Sequence, residues 1–409
     1  MRVVVLVVGS DLLVVHCGGH EVVVSWRVMA RRVLLLVTDL EVGGAPFAVK
    51  ALACGLGAVR CERGGGGLFE VRVASLAGEG PVAAQLRAAG IRVDCLGARG
   101  VWDLRVFVRL GRLIATYRPE LLHSHLVHAN VTGRLVGRLL GVGAIVGTVH
   151  TAEGAKRWHL HLENLTCRLS EATVCVSSSV RAHMIVEAGL PPSRLRVASN
   201  GIDWARFAQS ERADLGELGL EVGRQTVIWV GRLDPVKRVD VLLRALRGLA
   251  DERAVQLLIV GDGPERGRLE GLVGQLSLAE RVCFCGMRQD VAALLGAADV
   301  FVQPSEWEGL PLAALEAMAA GLPVVASRTA GLVDVVADQV TGLLTPVGDA
   351  QALGAALGKV LDDAGWARRL GQAGRERVRE QFSLEAMVAR HVDLYEGLMA
   401  KGCRGERRG

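Results

Sequence analysis

No run of eighteen apolar residues occurs in the 409-residue chain, so no membrane-spanning helix is expected. An excess of one charge is also missing. Lys and Arg number 48 against 43 Asp and Glu, a net +5, and a total so nearly balanced does not suggest a nucleic-acid binder. Paired C-x-x-C spacing is absent. Cys17, Cys54, Cys61, Cys95, Cys167, Cys175, Cys283, Cys285 and Cys403 are scattered and odd in number, which fits a reduced, cytosolic chain without structural zinc. Lysine is scarce: it stands only at Lys50, Lys156, Lys237, Lys359 and Lys401, so a lysine inside a motif is conspicuous.

Half of the residues are hydrophobic, which is globular, and the length suits two domains, each with a full core. The start, Val3 to Val8, resembles a short signal h-region but is cut by Gly9-Ser10-Asp11. Residues up to Ala30 fall in no motif, and Met29 directly precedes the first convincing strand. Translation from Met29 is therefore expected.

The chain is organised around Ser305-Glu306-Trp307-Glu308-Gly309-Leu310-Pro311, which follows the apolar run Val300-Phe301-Val302 and leads into Leu312–Gly321. A strand, a loop, and a helix with Pro311 in its first turn and Gly321 at its stop are expected. Glu308 then lies in the loop and Glu316 in the second helical turn, with free N–H groups at Gly309, Leu310 and Leu312 between them. An anionic centre flanked by hydroxyls fits such a place, as in a nucleotide sugar. Each glutamate also has an ordinary explanation, as a favourable helix-start charge or a solvated helix face. Against that, Glu316 stands among Ala314, Leu315, Ala317 and Met318, where a charge needs a partner.

Two further loops have phosphate-binding chemistry. Gly231-Arg232-Leu233-Asp234-Pro235-Val236-Lys237 follows the strand Thr226–Val230, placing a planar guanidinium and a mobile ammonium beyond a strand end. Gly43 and Gly44 lie between the strand Val33–Val37 and a helix from Pro46, although an ordinary βα turn would look the same. Gly261-Asp262-Gly263-Pro264 is a poor dinucleotide fingerprint, because the third glycine is Gly267, one place too far, and NAD binding is rejected. His123, His125, His128 and His150 gather at two strand ends, where open α/β sheets bind ligands. The first three lack a carboxylate or cysteine to complete a metal set.

With these residues on the page, Glu308 and Glu316 resemble the E-x7-E motif of family 4 retaining glycosyltransferases of GT-B fold. The resemblance extends from Val33 to Met399 through G-R-L-D-P-V-K, V-G-D-G-P-E and T-G-L-L in the second half. The first half has only G-G-A, the strand-end histidines and N-G-I-D (Asn200 to Asp203), and Pro46 replaces the family's glutamate after G-G-A. It implies an α/β GT-B protein of two Rossmann-like doubly wound domains facing across a cleft, with a last helix returning to the first domain. Expected boundaries are an uncertain extension 1–30, an acceptor-side domain 31–203, a nucleotide-sugar domain 204–381, and a crossing helix with frayed tail 382–409.

The resemblance also implies roles. Arg232 and Lys237 would clamp the diphosphate, His150 would face the donor sugar, Glu308 would hold sugar hydroxyls and Glu316 ribose hydroxyls. Gly43, Gly44, Gly309 and Leu310 would meet the phosphates, Gly261 and Gly263 the nucleotide end, and Gly286 and Met287 the base. The leaving phosphate would take the acceptor's proton on the same face. No metal or bound cofactor is expected; the co-substrate is a UDP- or GDP-linked sugar, and the acceptor a glycan, lipid or small molecule. A sugar-nucleotide epimerase and a catalytically silent sugar-nucleotide-binding module are the alternatives. Arg105, Arg109, Arg112, Arg134 and Arg138 could form a basic face for anionic lipid at the inner membrane surface, though a solvated helix face explains them as well.

Overall fold

The computed structural model describes residues 4–8, 12–17, 20–25, 30–60, 67–100, 103–151 and 157–405, with backbone alone for 4–25 and 401–405. Met29 and most of the glycine-rich stretch after Cys61 lie outside the described residues. Packing divides the chain into two compact units. One comprises 1–148, 165–173 and 390–409, the other 149–164 and 174–389.

The h-region-like start is a strand. β1 (Val4–Val8), β2 (Leu12–Cys17) and β3 (His20–Ser25) pair antiparallel in a three-stranded meander.

A seven-stranded sheet follows: β4 (Arg31–Val37), β5 (Phe69–Ser75), β6 (Arg92–Cys95), β7 (Leu121–His125), β8 (Ala144–Val149), β9 (Ala172–Cys175) and β10 (Leu195–Val197). Their spatial order is β10-β9-β8-β7-β4-β5-β6. Val33 to Val37 are wholly buried, as a continuous apolar run in a sheet covered on both faces must be. The order reverses between β4 and β7. There Val37 pairs with His125, so the Gly43–Gly44 loop and the histidines leave the same end of adjacent strands.

The second sheet contains β11 (Gln225–Val230), β12 (Val255–Val260), β13 (Val282–Phe284), β14 (Val300–Gln303), β15 (Val324–Ser327) and β16 (Gly342–Thr345). Its order, β13-β12-β11-β14-β15-β16, is the doubly wound pattern, with the reversal between β11 and β14. Helix Val239–Ala250 presents Leu242, Leu243 and Leu246, wholly buried, to a core that includes Trp229 of β11 and Leu257 of β12. A leucine buried in this way contributes roughly 1.5–3 kcal/mol relative to exposure. Trp229 is wholly buried, and its ring lies 3.1 Å from where a Cβ would stand on Gly231, so the turn after β11 rests on that indole.

The last helix, Leu384–Gly405, continues well past the point where a frayed tail was expected at Lys401. Inside the first unit its Tyr395 hydroxyl meets His123 Nδ1 at 2.6 Å, and Thr148 Oγ1 meets His123 Nε2 at 2.6 Å. Both ring nitrogens of His123 are therefore engaged by protein. Among the described residues no group of three or more His, Cys, Asp or Glu is placed to hold a metal ion.

The arginine face needs a correction. Arg134 is not solvated but wholly buried, donating to Thr166 Oγ1 at 3.0 Å and Thr173 Oγ1 at 3.1 Å. It faces inward because it lies on the side of helix Val127–Leu139 that packs on the sheet. Arg109 is half-buried and donates to the carbonyls of Leu96 and Gly97.

Candidate functional site

Three loops at the carboxyl ends of β11, β12 and β14 form one packed backbone surface in the second unit. Leu233 N donates to Asp262 O at 3.0 Å and Glu265 N to Leu233 O at 3.0 Å, which ties the G-R-L-D-P loop to the G-D-G-P loop. Glu306 N donates to Val236 O at 2.8 Å, which joins the E-x7-E loop to the same turn. Glycines permit this closeness. A Cβ on Gly261 (φ +131°) would overlap the carbonyl of Gly231, and one on Gly263 would stand 2.6 Å from Leu233 O. Gly331 (φ +79°) lies as tightly beneath the carbonyls of Glu308 and Gly309, each 2.7 Å from a built Cβ.

Lys237 and Glu308 meet. Lys237 Nζ donates to Glu308 Oε1 at 2.7 Å, and the same oxygen accepts from Gln303 Nε2 at 2.5 Å and Ser305 Oγ at 2.7 Å. Glu308 is 7% exposed, so the pair is largely shielded and strong in consequence. Gln303 and Ser305 were not singled out from sequence. Gln303 ends β14 in place of another apolar residue, and that break in the pattern was the available signal.

Arg232 comes from the same turn as Lys237 but projects outward; its side chain is 73% exposed, and Asp234 lies 3.4 Å from its Nε. Two cations, one anchored on Glu308 and one exposed beside Asp234, thus stand at the sheet's switch point. His150, buried at the end of β8, offers its backbone carbonyl to Gly309 so closely that a Cβ there would overlap it.

Helix Leu312–Ala320 starts one residue later than expected, with Pro311 extended as the N-cap (ψ 92°). Gly321, φ +86°, ends it with its N–H on the last turn's carbonyls, as expected of a left-handed glycine cap. Leu310 is buried and Gly309 precedes it. Glu316 retains some exposure, but packed surroundings push its carboxyl up to about 7; loss of solvent is the larger cause, with Arg206 pulling the other way. Among the described residues, no ion pair or side-chain hydrogen bond engages Glu316. A half-desolvated acceptor without a protein donor is equipped to take ligand hydroxyls.

Gly286 (φ +66°) accepts from Gly261 N at 2.7 Å and so belongs to the same surface, while Met287 beside it is 82% exposed. Gly43 and Gly44 lie in the first unit. Gly43 is the extended N-cap of helix Gly44–Ala58, whose first N–H groups have no side-chain cap.

A doubly wound sheet with cations, glycine loops and a helix start at its switch point defines an α/β protein whose site suits an anionic ligand. Comparison with known proteins gives the family. Residues 42–206 match Glycosyltransferase Family 4, and residues 210–377 match Glycosyl transferases group 1. Alpha-maltose-1-phosphate synthase of Mycolicibacterium smegmatis is 31% identical, over 68% of this chain and 79% of that protein. UDP-Gal:alpha-D-GlcNAc-diphosphoundecaprenol alpha-1,3-galactosyltransferase of Escherichia coli is 29% identical, over 76% of this chain and 84% of its own. In fold, the chain is similar to Anabaena HepE solved with UDP: TM-score 0.78, 21% identity, 90% of this chain and 100% of that one. The chain belongs to the GT-B glycosyltransferases whose halves these two family descriptions cover. It is an enzyme, a glycosyltransferase.

Proposed function

We propose that this enzyme transfers a hexosyl or N-acetylhexosaminyl group with retention of anomeric configuration, and that its own side chains supply the positive charge the reaction needs. The observation behind this reading is the shielded Lys237–Glu308 contact at the switch point of the second sheet. In the reading, Lys237 and Arg232 neutralise the departing diphosphate, aided by the amides of Gly309 and Leu310. Glu308, held by Gln303 and Ser305, accepts sugar hydroxyls once a donor arrives. Glu316 accepts ribose hydroxyls, Gly261, Gly263, Gly286 and Met287 line the nucleotide end, and His150 faces the sugar.

The bond between the anomeric carbon and the diphosphate oxygen breaks, and a bond to the acceptor oxygen forms on the same face. The acceptor's proton passes to the departing diphosphate, so no protein nucleophile is consumed. With Arg232 and Lys237 present, a divalent metal has no assigned task. UDP is the preferred nucleotide, since HepE was solved with UDP and the E. coli relative takes UDP-Gal.

A lipid-linked acceptor at the cytoplasmic membrane face is favoured by the surface of two packed helices, Arg105–Tyr117 and Val127–Leu139, which contain no Asp or Glu. Leu104 (73% exposed), Val108 and Leu139 (84%) stand out from it beside the surface residues Arg105, Arg112 and Arg138. Apolar side chains among cations, with Asp103 as the acid at the first helix's start, suit an anionic lipid surface.

The test is purified protein with a panel of UDP- and GDP-sugars and acceptors, with products analysed by NMR. An α-linked product from an α-linked donor supports the reading. An inverted product overturns retention, and an epimerised sugar nucleotide formed from donor alone assigns the chain to the epimerases instead.

A further inference from the structure

The turn after β11 and the loop after β14 bring a second cation and carboxylate together besides Lys237 and Glu308. One residue on from Lys237, Arg238 Nη1 lies 3.6 Å from Oε2 of Glu306, which stands two residues before Glu308. Two ion pairs thus join the same two stretches of chain. The inner one, Lys237–Glu308, is shielded, whereas the outer one is open to solvent, Glu306 being 57% exposed. The main-chain bond from Glu306 N to Val236 O belongs to the same junction.

A pair as open as this ordinarily contributes little, because water screens the charges and two long side chains lose freedom in meeting. Arg238 differs in being held already. Its backbone is left-handed, φ +49° and ψ +39°, where it ends the short helical turn Pro235–Lys237 and starts helix Val239–Ala250. Glycine adopts that conformation with less strain. The arginine side chain is anchored instead: Nε donates to Asp240 Oδ1 at 3.3 Å, and the buried Asp240 is fixed in turn by Arg244 Nη1 at 2.7 Å. The loop after β16 comes close as well, since a Cβ on Gly348 would stand 3.8 Å from Arg238 Nη1. A planar guanidinium held at that many points has little freedom left to lose on meeting Glu306.

The reaction read above gives the outer pair a task. In that reading Lys237 turns to the departing diphosphate and Glu308 to sugar hydroxyls, so the inner pair is given up as a donor binds. We propose that Arg238 is a positioning residue: with Glu306 it keeps the turn after β11 docked on the loop after β14 while the inner pair is open, and so holds Lys237 within reach of the diphosphate. The proposal rests on that reading of Lys237 and Glu308. Arg238 itself touches neither donor nor acceptor; it acts through Lys237.

The experiment compares wild type with R238A, R238G, R238K, E306Q, K237A and the double variants R238G/E306Q and R238G/K237A. It measures kcat and donor KM with the UDP-sugar that wild type turns over fastest. It also follows the Lys237 side chain by NMR in UDP-bound protein labelled with carbon-13 at lysine, whose scarcity in this chain keeps the signals separate. R238G is the decisive variant, since it removes the guanidinium and relaxes the left-handed backbone at once. R238G and E306Q should each lower kcat about tenfold and leave KM within about threefold, the pattern of a displaced catalytic group. In both, the Lys237 signal should narrow and move to the position of a solvated lysine. R238K should recover part of the rate. In R238G/E306Q the losses should not add, because one contact is removed from its two ends, and in R238G/K237A the second substitution should add little. Wild-type kcat with an unmoved Lys237 signal in R238G overturns the proposal, as does full additivity of R238G with E306Q. A loss in R238A that R238G restores also overturns it, assigning the effect to backbone strain. Wild-type turnover in K237A overturns the reading of Lys237 on which the proposal rests.

Discussion

Glu308 Oε1 receives three donors at once, and Lys237 Nζ, at 2.7 Å, is the charged one. Lys237→Ala leaves the carboxylate buried with two neutral donors. Turnover should fall by roughly a hundredfold or more, the scale for losing an oxyanion partner. Stability should fall by about 1–3 kcal/mol, below the full cost of breaking a deeply buried pair because the lysine is partly exposed. Adding Glu308→Gln to Lys237→Ala should recover part of that stability and none of the activity. Denaturant melts of the set, read with initial rates, check this.

Glu316 couples stability to pH with an unusual sign. Its carboxyl is raised from 4.5 to about 7, so across that interval the folded chain holds a proton that the unfolded chain has released. The group's contribution is therefore largest below the ordinary carboxylate range and is lost as pH rises through about 7. Glu316→Gln should melt above wild type at pH 8, match it near pH 4, and raise donor KM at every pH in between. Scanning calorimetry at the two pH values decides the first part.

Gly261 has no room for a side chain. Its φ of +131° and its closeness to the carbonyl of Gly231 mean that Gly261→Ala must separate two loops. Loss of nucleotide affinity by tenfold or more is expected, along with a lower melting temperature. Gly267→Ala, with nothing within 4 Å of its built Cβ, is the matched control and should behave as wild type.

Tyr395→Phe removes the buried hydroxyl that meets His123 Nδ1 inside the first unit. A cost of about 1–3 kcal/mol follows. Nucleotide affinity should be unchanged, which urea melts and UDP titration would establish together.

Leu139→Glu with Arg138→Glu should abolish sedimentation with vesicles containing anionic phospholipid, while leaving turnover of a water-soluble acceptor intact. Retained vesicle binding would remove the lipid-facing surface from the reading.

Sequence legibility followed chemistry more than geometry. The alternation of apolar runs and amphipathic segments marked out both doubly wound sheets, because a parallel strand buried on two faces cannot disguise its composition. The loops after β11 and β14 were equally plain, since glycine, proline and charge at a strand end are visible in one dimension. Arg134 was misread because helical spacing alone does not say which side faces the sheet; only the threonines 32 and 39 residues further on reveal it. His123 was grouped with ligand-facing histidines, yet Tyr395, its partner, lies 272 positions away. The antiparallel pairing of β1–β3 was also missed, although Gly18-Gly19 between two apolar runs is a hairpin signal, because the apolar start resembled a leader.

Gly261, Gly263 and Gly331 let four stretches of main chain, around 231–233, 261–263, 308–309 and 331, touch without side-chain spacers at those points. Such a floor has no soft layer to yield when a new ligand is introduced. Redesign of donor preference should therefore succeed through the few residues whose tips project from it, Met287 and Arg232 foremost, and fail wherever it asks the floor itself to move.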